Sequence, residues 1–162
     1  MASNTLIWED ITIMGRSYRN FDSAPKSWTP RGQKGPCQFA MALTEARVME
    51  LEEMGVEINY TKPWPDAPDD WEPTPFVTVH LRYDNYPPEV WKVTKSRRVE
   101  LTEETVGLLN YAEIVTADLR FRVSHFQGAR GEGYKLYAQK LYVTVDEDQM
   151  DVKYAHIPVS TG

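Results

Sequence analysis

Between Asp118 and Asp148 the chain reads DLRFRVSHFQGARGEGYKLYAQKLYVTVDED, two long polar/apolar alternations joined by a glycine-rich hexapeptide. A period of two marks a strand with one buried face, and a Gly-rich break between two such runs marks a hairpin. A ribbon this long has to be absorbed into a sheet, so the fold is expected to be mainly β. In the first arm Leu119, Phe121 and Val123 share one face, and Arg120, Arg122 and Ser124 share the other. The second arm repeats the cationic choice with Lys135 and Lys140, the turn adds Arg130, and Phe126, Tyr134, Tyr137 and Tyr142 contribute rings. Cations neutralise phosphates and flat π surfaces stack on unpaired bases, so the ribbon fits a nucleic-acid-binding sheet better than an active site.

A net charge of −6 over 162 residues argues against a polyanion partner only if the charge is evenly spread. It is not. Residues 76–145 hold ten Lys/Arg against eight Asp/Glu, whereas residues 1–75 hold seven against twelve and residues 146–162 one against four. Acidic side chains gather in the segment 45–53, the loop 66–72 and the cluster Asp146, Glu147, Asp148 and Asp151, away from the basic strands.

The rest of the chain supplies the frame. Leu6 to Met14 reads as a first strand, with Tyr18 to Phe21 continuing it past a bend at Gly15. The segment DSAPKSWTPRGQKGP is too broken by Pro and Gly for regular structure, and is expected to be a mobile basic loop carrying Lys26, Trp28, Arg31 and Lys34. Cys37 to Leu43 forms a second strand, and Thr44 caps a helix that runs to about Met54 and stops at Gly55. After a brief strand over 57–60, five prolines between Thr61 and Pro75 impose a second long loop, with Trp64 and Trp71. Phe76 to Tyr83 alternates strictly, Val77, Val79, Leu81 and Tyr83 on one face and Phe76, Thr78, His80 and Arg82 on the other. Val90 to Thr94 is a further strand, followed by Lys95, Arg97 and Arg98, and Thr102 opens a short helix to about Asn110.

That count, about seven short strands, two short helices and long loops, satisfies a small β-barrel of the OB type; a β-sandwich is the structural competitor. The chain can bury one good core, so residues 1–155 are expected to form a single domain with a flexible tail over 156–162. The lone Cys37 and the lack of a charged-then-apolar leader point to the cytoplasm, and no apolar run approaches the length of a membrane span.

Bland readings compete with the functional ones. Any half-exposed strand carries polar residues outside, and most strand aromatics pack in cores or pair across strands. What favours function is that the outward residues of the ribbon are cations without acids beside them, and that Trp28 stands among Lys26, Arg31 and Lys34 with no core to join. GARGEG lacks the Lys-Ser/Thr pair of a phosphate loop and reads as a hairpin turn. His80, His125 and His156 are scattered, so neither a metal site nor a cofactor is expected, and the Glu pairs at 52–53 and 103–104 read as solvated helix surface. No catalytic residue is assigned.

With these residues laid out, a likeness emerges in Tyr18-Arg19-Asn20-Phe21, the Pro-Pro segment from Tyr83 to Trp91, Leu101-Thr102-Glu103-Glu104, the KLYAQKLYVTVDED close and Lys153-Tyr154-Ala155. The chain resembles single-stranded DNA-binding proteins of tailed bacteriophages, over roughly Ile7 to Ala155. The resemblance implies an OB-type barrel that coats exposed strands during phage replication or recombination in the infected host, without cofactor and with little sequence preference. It implies Tyr18, Arg19, Phe21 and the strand Arg120 to Arg122 at or near the DNA groove, and phage replication or recombination proteins as further partners. The Pro-rich loop with Trp28 departs from the family, as does the acidic cluster, which is followed by more than ten residues instead of ending the chain.

The leading expectation is thus a non-enzymatic single-stranded DNA-binding protein whose contacts are Tyr18, Arg19, Phe21, Lys26, Trp28, Arg31, Lys34, Arg97, Arg98, Arg120, Arg122, Arg130, Tyr134, Lys135, Tyr137 and Lys140. The alternative is a phage-encoded β-barrel that docks on a host or phage protein, to counter host defence, which the net charge suits. A nuclease would need clustered carboxylates at a groove, and Asp84 and Asp118 read as turn residues. A homodimer through edge strands is compatible with the pattern.

Overall fold

The computed structural model describes residues 4–25, 29–84, 87–95, 97–129 and 131–146. Among them one sheet holds β1 (Thr5–Ile13), β2 (Arg19–Asn20), β3 (Gln38–Ala42), β4 (Asn59–Tyr60), β5 (Pro75–His80), β6 (Glu89–Val93), β7 (Arg98–Leu101), β8 (Ile114–Gly128) and β9 (Gly131–Val145), with a single α-helix, α1 (Glu45–Glu53).

Five strands close on themselves. β3 pairs antiparallel with β1 and β5, β5 runs parallel to β9, β9 returns antiparallel to β8, and β8 pairs antiparallel with β1. This five-stranded circuit is what an OB-type barrel requires; β2 and β4 hang on β3 and β5, and the β6–β7 hairpin extends the sheet from β9. The β5–β9 closure is short, Val79 to Leu136 and His80 to Tyr137.

The core follows from the alternation. Phe39, Met41, Val77, Val79, Leu119, Phe121, Val123, Leu136, Leu141 and Val143 all point inward and are buried. Trp8 meets Phe121 edge to face at 5.0 Å. Truncating Phe121 to Ala would forfeit about 3–5 kcal/mol, because the ring is enclosed on every side.

A helix of nine residues is marginal alone, so α1 depends on its fastenings. The Thr44 hydroxyl accepts from the Arg47 amide, Leu51 plugs into the core, and Gly55 ends the helix with a φ of 93°. Arg47 donates to the Glu9 carbonyl at 2.6 Å and lies 4.9 Å over the Trp8 ring, tying α1 to β1.

Three local expectations are corrected. Tyr18 to Phe21 does not prolong β1: a 3-10 turn over Arg16–Tyr18 redirects the chain, and β2 pairs with β3. Thr102 opens no α-helix, because the Thr105 hydroxyl takes the Thr102 amide at 2.7 Å and leaves a turn running into a 3-10 segment over Val106–Asn110. Arg98 begins a strand, β7, that the basic run had concealed. The tail 156–162 lies outside the described residues.

Candidate nucleic-acid interface

Cross-strand register lines up outward side chains from neighbouring strands. Gln38 stands beside His80, His80 beside Tyr137, Tyr137 beside Arg122, and Arg122 beside Thr5, one position per strand. With strands about 4.8 Å apart, these form a continuous track over the barrel's outside. Next to it Glu89, Lys140, Arg120 and Ile7 make a second row, and Trp91, Tyr142 and Asp118 a third.

Rings and cations come together across these rows. His80 and Tyr137 are 5.8 Å apart between centroids, and the Arg82 guanidinium lies 5.8 Å from the Tyr137 ring while pairing with Asp84 at 3.1 Å. Trp91 and Tyr142 are nearly parallel, 13° apart at 6.2 Å. Arg98 lies 4.8 Å from Trp91 and Lys140 5.5 Å from Tyr142. Lys140 faces Arg120 across the ribbon and leans to Glu89 at 3.6 Å, and Glu89 also accepts from the Trp91 indole N–H at 2.9 Å. Those contacts hold the Glu89 carboxyl below its ordinary pKa, the indole bond first and Lys140 after it.

Lys135 and Lys140 share the outer face only through a bulge. Arg120 opposes Lys140 while Phe121 opposes Ala138, so Gln139 is an extra residue that resets the alternation. A second irregularity in β1 leaves Asp10 with a φ of 54°, its amide bonded to the Asp118 carboxylate at 2.9 Å; Asp118 thus serves the backbone.

Beyond Val123, whose amide still bonds to the Asn4 carbonyl, β8 and β9 pair with each other as a projecting arm. On its outer side Phe126 lies across Gly133 with Lys135 5.2 Å from the ring. On the opposite side Tyr134 meets His125 at 5.1 Å and borders an open groove of about 590 Å³ shared with Glu50, Glu53 and Met54 of the helix region.

At the other end of the track Tyr18 meets Phe76 edge to face at 5.5 Å, beside a pocket of about 150 Å³ bordered by Ser17, Arg19, Asn20, Gln38 and Thr78. In OB-type barrels oligonucleotides lie on the second and third barrel strands, between the loop after the first strand and the turn joining the last two. Here those elements are β3 and β5, the segment 14–37, and the tip of the β8–β9 arm.

The expected contacts divide accordingly. Tyr18, Arg98, Arg120, Arg122, Lys135, Tyr137 and Lys140 sit on the outer face; Arg31, Lys34 and Arg97 are exposed on adjoining loops, Lys34 at 4.0 Å from Glu103. Phe21 does not belong with them: it is 1% exposed and stacked on Phe39 in the core. Arg19 borders the pocket, but its guanidinium is committed to the carbonyls of Met14, Leu109 and Ala112. Tyr134 is turned to the acidic side by strand alternation. Lys26, Trp28 and Arg130 lie outside the described residues, as do Glu147, Asp148 and Asp151.

Phe76, His80, Arg82 and Trp91 went unassigned from sequence, although the strict alternation of 76–83 had already put three of them on one face, and Phe126, noted among the ribbon's rings, stood outside the expected contacts. Burial, then Lys135 and Arg82, push the His80 pKa down. Among the described residues no three His, Cys, Asp or Glu side chains are grouped to hold a metal ion, and no helix is long and apolar enough to cross a membrane.

The structure is similar to the single-stranded DNA-binding protein from bacteriophage Enc34 in complex with ssDNA, with a TM-score of 0.54 and 10% identity over 90% of this chain and 88% of that one. Enc34 protein described without DNA gives a TM-score of 0.52 and 11% identity over 98% and 88%, and its C-terminal truncation 0.52 and 10% over 90% and 87%. At such identity the likeness is one of fold. No curated protein matches the sequence. The family model of the phage ssDNA-binding domain, however, matches residues 2–161. With nearly the whole chain matched and the fold shared, the protein belongs to the phage ssDNA-binding domain family.

Proposed function

We propose that this protein coats single-stranded DNA exposed during phage replication or recombination, sequence-tolerantly and without catalysing a reaction. The strand lies along the outer face of β3, β5, β9 and β8. The observation that carries this reading is the register that sets His80, Tyr137 and Arg122 side by side, with Lys135, Lys140 and Arg120 flanking them. Rings take bases in any order because every base has a π face, and the cations take phosphates. Net charge −6 is no obstacle on the α1 side, since Glu50 and Glu53 border the groove with His125 and Tyr134, on the side of the arm away from Phe126 and Lys135.

Anisotropy of labelled oligo-dT across a salt series, competed with duplex DNA, tests the proposal. Binding that favours the single strand and weakens steeply with salt is expected. No binding at low salt would sink it and turn attention to a protein partner.

A further inference from the structure

We infer that the pocket beside the Tyr18–Phe76 ring pair receives one unstacked pyrimidine base from the bound strand and holds its edge with Gln38, Thr78 and Ser17. The inference rests on the reading that ssDNA lies along this face, and it adds a preference which stacking and phosphate contacts do not supply.

Size is the first argument. A cavity of about 150 Å³ is what a single six-membered ring occupies. A pyrimidine fits; a purine would leave its second ring outside. The walls are suited to a ring as well, since Tyr18 and Phe76 meet edge to face and Tyr18 is 38% exposed, with surface left to cover.

Hydrogen bonding is the second. Two polar side chains at the pocket are already committed. The Arg19 guanidinium donates to three backbone carbonyls, and Asn20 donates to the Ala24 and Pro36 carbonyls while accepting from the Ala24 amide. They make the frame rigid and have little left to offer. Ser17, Gln38 and Thr78 are the reverse: no side-chain hydrogen bond ties any of them to another described residue, and all three border the same space. A carboxamide and two hydroxyls can each donate or accept. Thymine and cytosine, which differ in which edge atoms donate, would both be satisfied, so the preference is for the class.

Location is the third. Gln38 opposes His80 and Ala40 opposes Thr78 across β3 and β5, so the pocket opens beside the track that continues to Tyr137 and Arg122. A strand on that track passes the pocket without changing course.

Oligo-dT, oligo-dC and oligo-dA of equal length, compared as competitors at one salt concentration, test the inference. The two pyrimidine oligomers should compete about fivefold or more better than oligo-dA, as one well-formed hydrogen bond allows. In Gln38→Ala/Thr78→Val, and independently in Tyr18→Ala, which removes a wall, oligo-dT and oligo-dC should fall to the level of oligo-dA. Equal competition by all three against the unaltered protein, or a preference that survives both variants, overturns the pocket. Failure to bind any oligonucleotide overturns the ssDNA reading itself, a separate outcome.

Discussion

Phe126 occupies the space that a side chain at Gly133 would need: a Cβ there would lie 2.6 Å from Phe126 Cζ and 2.7 Å from Cε1. The two residues oppose each other near the tip of the arm, so the missing side chain on β9 seats the ring on β8, with Lys135 beside it. Gly133→Ala should dislodge the ring with little effect on unfolding temperature, since the ring's far end can swing into solvent. If Phe126 stacks on a base, Phe126→Ala should weaken oligo-dT binding by about 1–3 kcal/mol, and Gly133→Ala should weaken it in the same direction by less. Unchanged affinity in both variants would remove the arm from the binding face.

Arg120 and Arg122 offer a quantitative check through counterion release. Each phosphate neutralised on a single strand contributes about 0.7 to the slope of log affinity against log salt. Arg120→Ala/Arg122→Ala should therefore weaken binding at low salt and flatten the slope by about 1.4. Phe126→Ala should leave the slope where it was. A double variant with the original slope would mean that this part of β8 faces no phosphate.

Arg19 resembles a DNA contact in the sequence, and in the fold its guanidinium is committed to backbone carbonyls. Its donors hold the carbonyls of Met14, Leu109 and Ala112, joining the start of β2 to the 3-10 segment 106–110. Arg19→Ala should lower stability by on the order of 2 kcal/mol, given the usual worth of charged hydrogen bonds. Oligo-dT affinity of the folded fraction should barely move. Denaturant unfolding alongside anisotropy separates the two effects, and a large affinity loss without destabilisation would restore Arg19 to the groove.

How far the sequence could be read depended on whether the deciding interaction was local. The alternation Leu119–Val123 and the cap Thr44 are written in adjacent residues, and both elements formed as that pattern requires. Gln139 is different: nothing in KLYAQKLY announces that this residue will be extra, because the bulge exists only against Arg120. Phe21 was misplaced for the same reason. Its partner Phe39 belongs to a strand that β2 meets only after the chain has turned at Arg16–Tyr18. Gln38 and Trp91 were missed because a neutral amide and an isolated tryptophan carry no signal until register puts a ring or a cation next to them.

His80 should connect pH to stability and, at the proposed interface, to binding, with opposite signs. Burial is the main cause of its lowered pKa, and Lys135 and Arg82, the latter paired with Asp84, add to it; Tyr137 and Gln38 are its neutral neighbours on the track. The folded chain therefore resists a proton that the unfolded chain accepts at the ordinary 6.5. The contribution to stability is complete above that value and is lost as pH falls through the lower folded-state value, because the unfolded state binds more protons in that window. Between about pH 7.5 and 5.5 the unfolding temperature of the unaltered protein should drop more than that of His80→Gln. A phosphate passing His80 would reverse the balance by favouring the imidazolium, so oligo-dT affinity should rise over the same range in the unaltered protein and rise less in His80→Gln. If the two proteins gain affinity equally, the strand does not pass His80; if their unfolding temperatures fall in parallel, the imidazole is not held neutral by the fold.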